Sequence, residues 1–196
     1  MLKRIYLNRN WLFSAEGNNL IVDIPHTVKE LPFNYLNEED YQFISTYTKT
    51  IKLENELRDK HLFLRFDGVG HKAEIYVNGT LLLTNNCGYN QFVVDIKDYV
   101  SFEKDNEIKV VVDSRESLNI PPFGNVIDYL TYGGIYRDVY LDVCNDAYVE
   151  DVFIKPIIKD DKVYGVIDLD SPIFNRFTQE DKEILEEVAG ILSNLF

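Results

Sequence analysis

Residues 128–141 read Asp-Tyr-Leu-Thr-Tyr-Gly-Gly-Ile-Tyr-Arg-Asp-Val-Tyr-Leu, and they hold the groups best placed to do chemistry. An acidic residue leads. An aromatic turn and a Gly-Gly pair follow, and then an alternating strand that carries an arginine. Asp128 closes an irregular segment, Ile120-Pro121-Pro122-Phe123-Gly124-Asn125-Val126-Ile127-Asp128, set between two strand-like stretches. A carboxylate in such a loop can accept hydrogen bonds from two neighbouring hydroxyls, or it can cap a turn. Asn119 and Tyr129 are weaker companions of Asp128. The Gly133-Gly134 pair suits a tight turn, with close ligand approach as the alternative. Arg137, placed on a strand, suggests an ion pair on a sheet face with Asp67 or Asp138.

Other chemistries find little support. Cys87 and Cys144 are far apart in sequence and make neither a disulfide framework nor a zinc knuckle. One bridge could form, but two free, partly buried thiols are expected. The chain has no Asp-x-Asp-x-Asp-Gly loop, so no calcium or magnesium site and no cofactor is expected. A formal charge of −13 argues against nucleic acid or an anionic membrane as partner, because phosphates would be repelled. The N-terminus lacks an apolar stretch of signal-peptide length, and there is no run of about 18 apolar residues. A cytoplasmic protein is expected.

The elements that must position these groups are short strands. Trp11–Phe13, Leu20–Ile24, Tyr47–Leu53, Leu62–Phe66, Ala73–Val77, Phe92–Ile96, Glu107–Asp113 and Ile135–Val143 are apolar or alternating. Turn residues separate them. Asn78-Gly79, followed by Thr80–Leu83, is a strong hairpin signal because both central residues must take positive φ. Many short strands without intervening helices mean two packed antiparallel sheets. Trp11, Phe66, Tyr76 and Tyr140 read as core or sheet-face residues. From Thr178 the period shifts to about 3.6. Ile184, Leu185, Val188, Ile191, Leu192 and Leu195 then form one apolar helix face, with Thr178 as N-cap. The fold expected is mainly β: an antiparallel β-sandwich of jelly-roll type with one C-terminal α-helix.

Residues 5–156 carry a series of motifs in a consistent order: Val22-Asp23-Ile24-Pro25-His26-Thr27-Val28, Tyr47–Leu53, Leu64–Val69 with Ala73–Gly79, Gly88–Ile96, the run from Asp128 to Leu141, and Asp151–Pro156. In this order they resemble the N-terminal, galactose-binding-domain-like sandwich of family-two glycoside hydrolases, the β-galactosidases and β-glucuronidases. The resemblance implies a sugar-binding-type domain over 1–156 that braces a catalytic barrel. It also implies that Asp128, with Tyr129 and Asn119, reaches towards the substrate sugar. Asn78, Gly79, Gly133, Gly134 and Arg137 would be structural. Retaining glycosidases need two carboxyl groups about 5 Å apart, and in this family both come from the barrel. No alternating strand–helix barrel is legible here. The chain is therefore expected to be non-catalytic alone and to bind carbohydrate weakly. An autonomous glycan- or protein-binding sandwich is the alternative.

The tail departs from that family. Residues 157–164 read as a connector. Residues 165–196, Gly165–Pro172, Phe174–Phe177, Glu180-Asp181 and the helix, resemble the last strand and helix of a GAF domain of the free methionine-(R)-sulfoxide reductase type. That resemblance implies that Asp168 and Asp170 match pocket residues. The catalytic cysteines of the family lie upstream, where this chain is sandwich, so a reductase or sensor fragment is the least supported reading. An apolar helix stripe must be covered, either by the sandwich or by a second copy.

Overall fold

The computed structural model describes residues 3–30, 37, 40–124, 131–145, 148, 153–159, 162–168 and 178–193. The chain divides into two compact units, residues 1–146 and 147–196.

The first unit is an antiparallel sandwich. Strands β1 (Lys3–Tyr6), β10 (Val139–Cys144), β5 (His61–Phe66) and β8 (Phe92–Asp95) form one sheet in that order. Strands β3 (Asn18–Val22), β2 (Trp11–Ala15), β4 (Ile44–Lys52), β9 (Asp105–Asp113), β6 (Lys72–Val77) and β7 (Thr80–Asn85) form the other. Alternation decides which side chains go inside. In β5, β6 and β9 every second residue is buried. Leu62, Leu64 and Phe66 from one sheet join Ile75, Val77, Ile108 and Val110 from the other, with Trp11 and Tyr47 also fully buried. Phe66 and Phe92 stack with centroids 5.0 Å apart. Removal of this apolar area from water is the main stabilising term, at about 25 cal/mol per Å².

The outer face of β10 is sealed by polar side chains. Asp142 is buried and ion-paired. Arg4 on β1 grips it through Nε at 2.8 Å and a second nitrogen at 3.0 Å. Arg65 on β5 lies 2.8 Å away on the other side, in an ion pair whose Nε–H does not point at the carboxylate. Arg4 also stacks 3.8 Å above the Tyr140 ring. Trp11, Phe66, Tyr76 and Tyr140 thus serve as core or sheet-face residues, and Cys87 and Cys144 are free thiols.

Asn78 and Gly79 form the β6–β7 turn, at φ 49° and 82°. The Asn78 side chain donates to the Tyr99 carbonyl at 2.8 Å and to Asn106 Oδ1 at 2.9 Å. Its own oxygen accepts from the Glu107 backbone N–H at 2.9 Å. The turn is therefore tied to the neighbouring loop as well as to its hairpin.

One strand differs from expectation. The run from Ile135 does not enter the sheet until Val139, and Arg137 stands at a bend. Gly134, at φ 106°, breaks the pleat. The stretch instead bonds to two irregular segments. Its carbonyls at Ile135 and Gly133 accept from His26 and Val28 on one side, and Gly134 pairs with Gly70 on the other.

In the second unit, β11 (Phe153–Lys159) pairs antiparallel with β12 (Lys162–Asp168). Within the stretch 157–164, Ile157 lies opposite Tyr164 and Lys159 opposite Lys162. Helix α1 (Gln179–Ser193) starts at the expected cap. The Thr178 hydroxyl oxygen accepts from the Asp181 backbone N–H, and the Asp181 carboxylate accepts from the Thr178 backbone N–H at 2.7 Å. This is a reciprocal capping box with Asp in the acidic position. Ile184, Val188 and Ile191 are exposed on it. No described helix is long and apolar enough to cross a membrane.

Candidate functional site

The connection between β9 and β10 leaves the six-stranded sheet at Asp113, and its incoming stem, from Thr131, leads to β10 in the four-stranded sheet. Asp128 and Tyr129 lie outside the described residues. Asn119 is described and exposed, at the tip of a turn closed by the Ser117–Ile120 bridge. What the structure builds is the base of the loop.

The outgoing stem is fixed first. Arg115 folds back on Asp113 through two nitrogens, at 2.8 and 2.7 Å. This charge-assisted fork holds the Asp113 carboxyl below its usual range. Ser114 is buried. Its backbone N–H donates to the Phe43 carbonyl at 3.1 Å and its hydroxyl to the Gly70 carbonyl at 3.2 Å. The Glu116 backbone N–H reaches the Gln42 side chain at 3.3 Å.

The incoming stem locks onto the same wall. Thr131 is buried, and its hydroxyl donates to the Glu116 carboxylate at 2.9 Å. Gly133 lies so close to Ser114 that a Cβ there would sit 2.3 Å from the Ser114 Cβ. At Gly134 a Cβ would meet the His26 carbonyl and the Tyr47 hydroxyl, both at 2.7 Å. The glycine pair therefore serves close packing at the loop base. Behind it, the Tyr47 hydroxyl shares a 2.8 Å hydrogen bond with His26 Nδ1. Burial pushes the Tyr47 phenol up and the His26 imidazole down, so both are neutral near pH 7.

His71 completes the wall. It is buried, its Nε2 has no hydrogen-bond partner, and burial lowers its pKa against the opposing pull of Glu116 and Asp113. Ser117 Oγ is also buried without a partner. Among the described residues no group of three or more His, Cys, Asp or Glu side chains could hold a metal ion.

Arg137 does not make the expected ion pair. Its guanidinium reaches the Asp67 and Tyr89 backbone carbonyls, at 3.4 and 3.3 Å, and lies 5.3 Å from the Tyr136 ring centroid. The Asp67 carboxylate instead accepts from Gln91 at 2.6 Å and Tyr140 at 3.0 Å, and Asp138 accepts from Asn8 at 2.8 Å. Arg137 stands at a bend and is exposed, with no ion pair to either carboxylate among the described residues.

Gly133, Gly134 and Arg137 thus lie together at the loop base. Asn78 and Gly79 do not. Strand β6 starts opposite Asp113 and ends opposite Ile108, so the Asn78 turn is at the other end of the sandwich. A hollow of about 480 Å³ lies there too, lined by Arg58, Lys97, Asp98, Val100, Ser101, Phe102 and Lys104. Sequence reasoning missed Ser114, Glu116, Thr131 and His71. No spacing rule links Glu116 to Thr131, and only the fold brings them together.

Among the described residues, both carboxylates at this base are engaged, Glu116 by the Thr131 hydroxyl and Asp113 by the Arg115 fork. What stands there is a rigid platform that presents a loop. A family model described as "Glycosyl hydrolases family 2, sugar binding domain" matches residues 21–144, which include every β-strand of the sandwich from β4 to β10. The chain belongs to the family 2 glycosyl hydrolase sugar binding domains.

This family 2 domain is 40% identical over 149 residues to a β-galactosidase of Thermoanaerobacter pseudethanolicus, a match that covers 75% of this chain and 20% of that protein. It is 35% identical over 150 residues to a β-glucuronidase of Bacteroides fragilis, covering 74% of this chain and 21% of the relative. The structure of a β-D-glucuronidase of Dictyoglomus thermophilum superposes with a TM-score of 0.72 at 22% identity, over 86% of this chain and 33% of that one. The last comparison supports the fold. The chain spans about a fifth of the length of these curated relatives.

Proposed function

We propose that this family 2 domain is the non-catalytic carbohydrate-binding module of a β-galactosidase- or β-glucuronidase-like hydrolase. It braces the catalytic barrel and lends the 114–131 loop to the sugar site. The observation that carries this reading is the double clamp at the loop base. The Thr131–Glu116 hydrogen bond ties the two stems across fourteen intervening residues, and Gly133 is packed on Ser114. Stems held this way fix where the loop leaves and re-enters the sandwich, which lowers the entropic cost of contact. On this reading Asp128, with Tyr129 and Asn119 beside it, accepts hydrogen bonds from neighbouring sugar hydroxyls. A single loop makes few convergent contacts, so carbohydrate binding by the module alone is weak.

The test is complementation. The T. pseudethanolicus β-galactosidase would be produced without the fifth of its length that this chain matches, and the 196-residue chain added in trans. Recovered turnover that falls at least tenfold with Asp128→Ala supports the reading. No recovery, or hydrolysis by the chain unaided, would sink it. A glycan titration separates the autonomous binding module: micromolar affinity for a free oligosaccharide would favour that second role.

For residues 165–196 we place the GAF-like resemblance in a structural appendage, with no reductase role for Asp168 or Asp170. The exposed stripe of Ile184, Val188 and Ile191 supports pairing of α1 with a second copy. Sedimentation at micromolar to millimolar concentration reads this directly, and a strictly monomeric chain refutes it. A cytoplasmic location remains part of the proposal, to be tested by fractionation of cells expressing the native gene.

A further inference from the structure

Six arginines are described, and four of them sit against aspartates: Arg4 and Arg65 on Asp142, Arg9 on Asp23, Arg115 on Asp113. Arg58 donates to the Asn55 side chain. Among the described residues Arg137 makes two long hydrogen bonds to backbone carbonyls and no ion pair, although the chain carries 33 acidic residues against 20 basic ones. The carboxylates of Asp67 and Asp138 have other partners, Asp67 in Gln91 and Tyr140, Asp138 in Asn8. A guanidinium left unneutralised in so acidic a chain is available to an outside anion.

Arg137 is also held in place. Its Cδ packs 3.0 Å from where a Cβ on Gly68 would be, so Gly68 gives it room. The Tyr136 ring lies alongside, and the Tyr136 hydroxyl is anchored on the Gly88 carbonyl. Tyr89 and Tyr132, 40% and 55% exposed, belong to the segments that flank it. Tyrosine and arginine on a rigid backing are the residue types that dominate binding energy at protein interfaces. Arg137 follows the clamped loop by six residues from Thr131, so a partner that meets the loop also meets this surface.

We infer that Arg137, flanked by Tyr89 and Tyr132, is an anchor that grips a carboxylate on the catalytic barrel of a family 2 hydrolase. The inference rests on the accessory role proposed above and names the surface through which it acts. The barrel is the occupant favoured because the matched relatives extend over about four fifths of their length beyond this domain. Charge complementarity sets the chemistry of the contact, a bidentate carboxylate.

The chain would be titrated against the T. pseudethanolicus enzyme lacking its matched fifth, with affinity read by calorimetry at two salt concentrations. Arg137→Ala is expected to weaken assembly by about 30-fold and to flatten its salt dependence, with Arg137→Lys intermediate. Arg58→Ala, at the far end of the sandwich, should change affinity less than twofold. Circular dichroism and thermal unfolding of each variant separate a lost contact from a lost fold. Wild-type assembly that is indifferent to Arg137→Ala overturns the anchor and leaves the accessory role standing. Absence of wild-type assembly overturns both. A titration with glucuronate alone is the third arm: Arg137-dependent binding tighter than millimolar would assign the site to a free sugar acid and overturn the protein anchor.

Discussion

The Thr131 hydroxyl donates to the Glu116 carboxylate at 2.9 Å and so closes the 117–130 loop on itself. Thr131 is buried, so the bond is shielded from water on one side. Hydrogen bonds to a charged acceptor contribute about 1.5–3 kcal/mol. Thr131→Val keeps the shape and removes the donor. It is expected to lower urea stability by about 1–3 kcal/mol and to speed proteolytic cleavage within the loop. Unchanged stability with unchanged cleavage would show that the clamp contributes nothing.

Gly133 and Ser114 share one space. A Cβ on Gly133 would lie 2.1 Å from the Ser114 Oγ and 2.3 Å from its Cβ. Gly133→Ala should therefore destabilise by about 1–3 kcal/mol or more through overpacking. Ser114→Ala does not relieve the clash, because the serine Cβ remains. Ser114→Gly does, so the double variant Gly133→Ala/Ser114→Gly should recover part of the loss relative to the sum of the singles. A double-mutant cycle with no coupling would contradict the packing described.

Asp142 is buried between Arg4 and Arg65. Asp142→Ala leaves two arginines facing an apolar methyl group. Breaking one side of a buried charge cluster costs about 3–5 kcal/mol. The two arginine heads are partly solvated, with side-chain exposures of 39% and 21%, so a value near the lower bound is expected. Loss of the Arg4–Tyr140 stacking should appear as a change in tyrosine fluorescence. A variant as stable as the parent in chemical denaturation would remove this cluster from the list of stabilising features.

Stability should fall on mild acidification. Burial depresses the imidazole pKa of both His26 and His71 below the ordinary value of 6.5, and at His71 the Glu116 and Asp113 carboxylates only partly offset it. Each side chain is neutral in the folded state and takes up a proton more readily when unfolded. Their contribution is therefore fully present above about pH 6.5 and is lost as pH falls through the depressed folded values. Protonation of His26 would also oblige Nδ1 to donate in its hydrogen bond with the Tyr47 hydroxyl. Urea midpoints are expected to be level from pH 8 to 7 and to decline below 6.5. Imidazole NMR signals that titrate at or above 6.5 for either residue would contradict the burial effect.

The sandwich could be read from the sequence because sheets write their burial pattern with a period of two. Leu62-Phe63-Leu64-Arg65-Phe66 and Ala73–Val77 alternate as they must if one face is dry, and both are strands in the structure. Asn78-Gly79 fixed its turn by local φ requirements alone. The Thr178 cap is equally local, since its partner Asp181 is three residues away. Gly134 hid the late start of β10, because an alternating pattern from Ile135 says nothing about the pleat being broken just before it.

The sequence by itself thus determined what depends on near neighbours and on ordered motifs: two antiparallel sheets, a terminal helix, and membership of the family 2 glycosyl hydrolase sugar binding domains. Tertiary structure alone decided which distant groups meet. Glu116 finds Thr131, Ser114 makes room only for a glycine at 133, and Asp142 gathers arginines from two other strands. The same packing gave the Asp67 and Asp138 carboxylates other partners and left Arg137 exposed. Such pairings depend on strand order and register, which join residues far apart in sequence, and no local pattern records them.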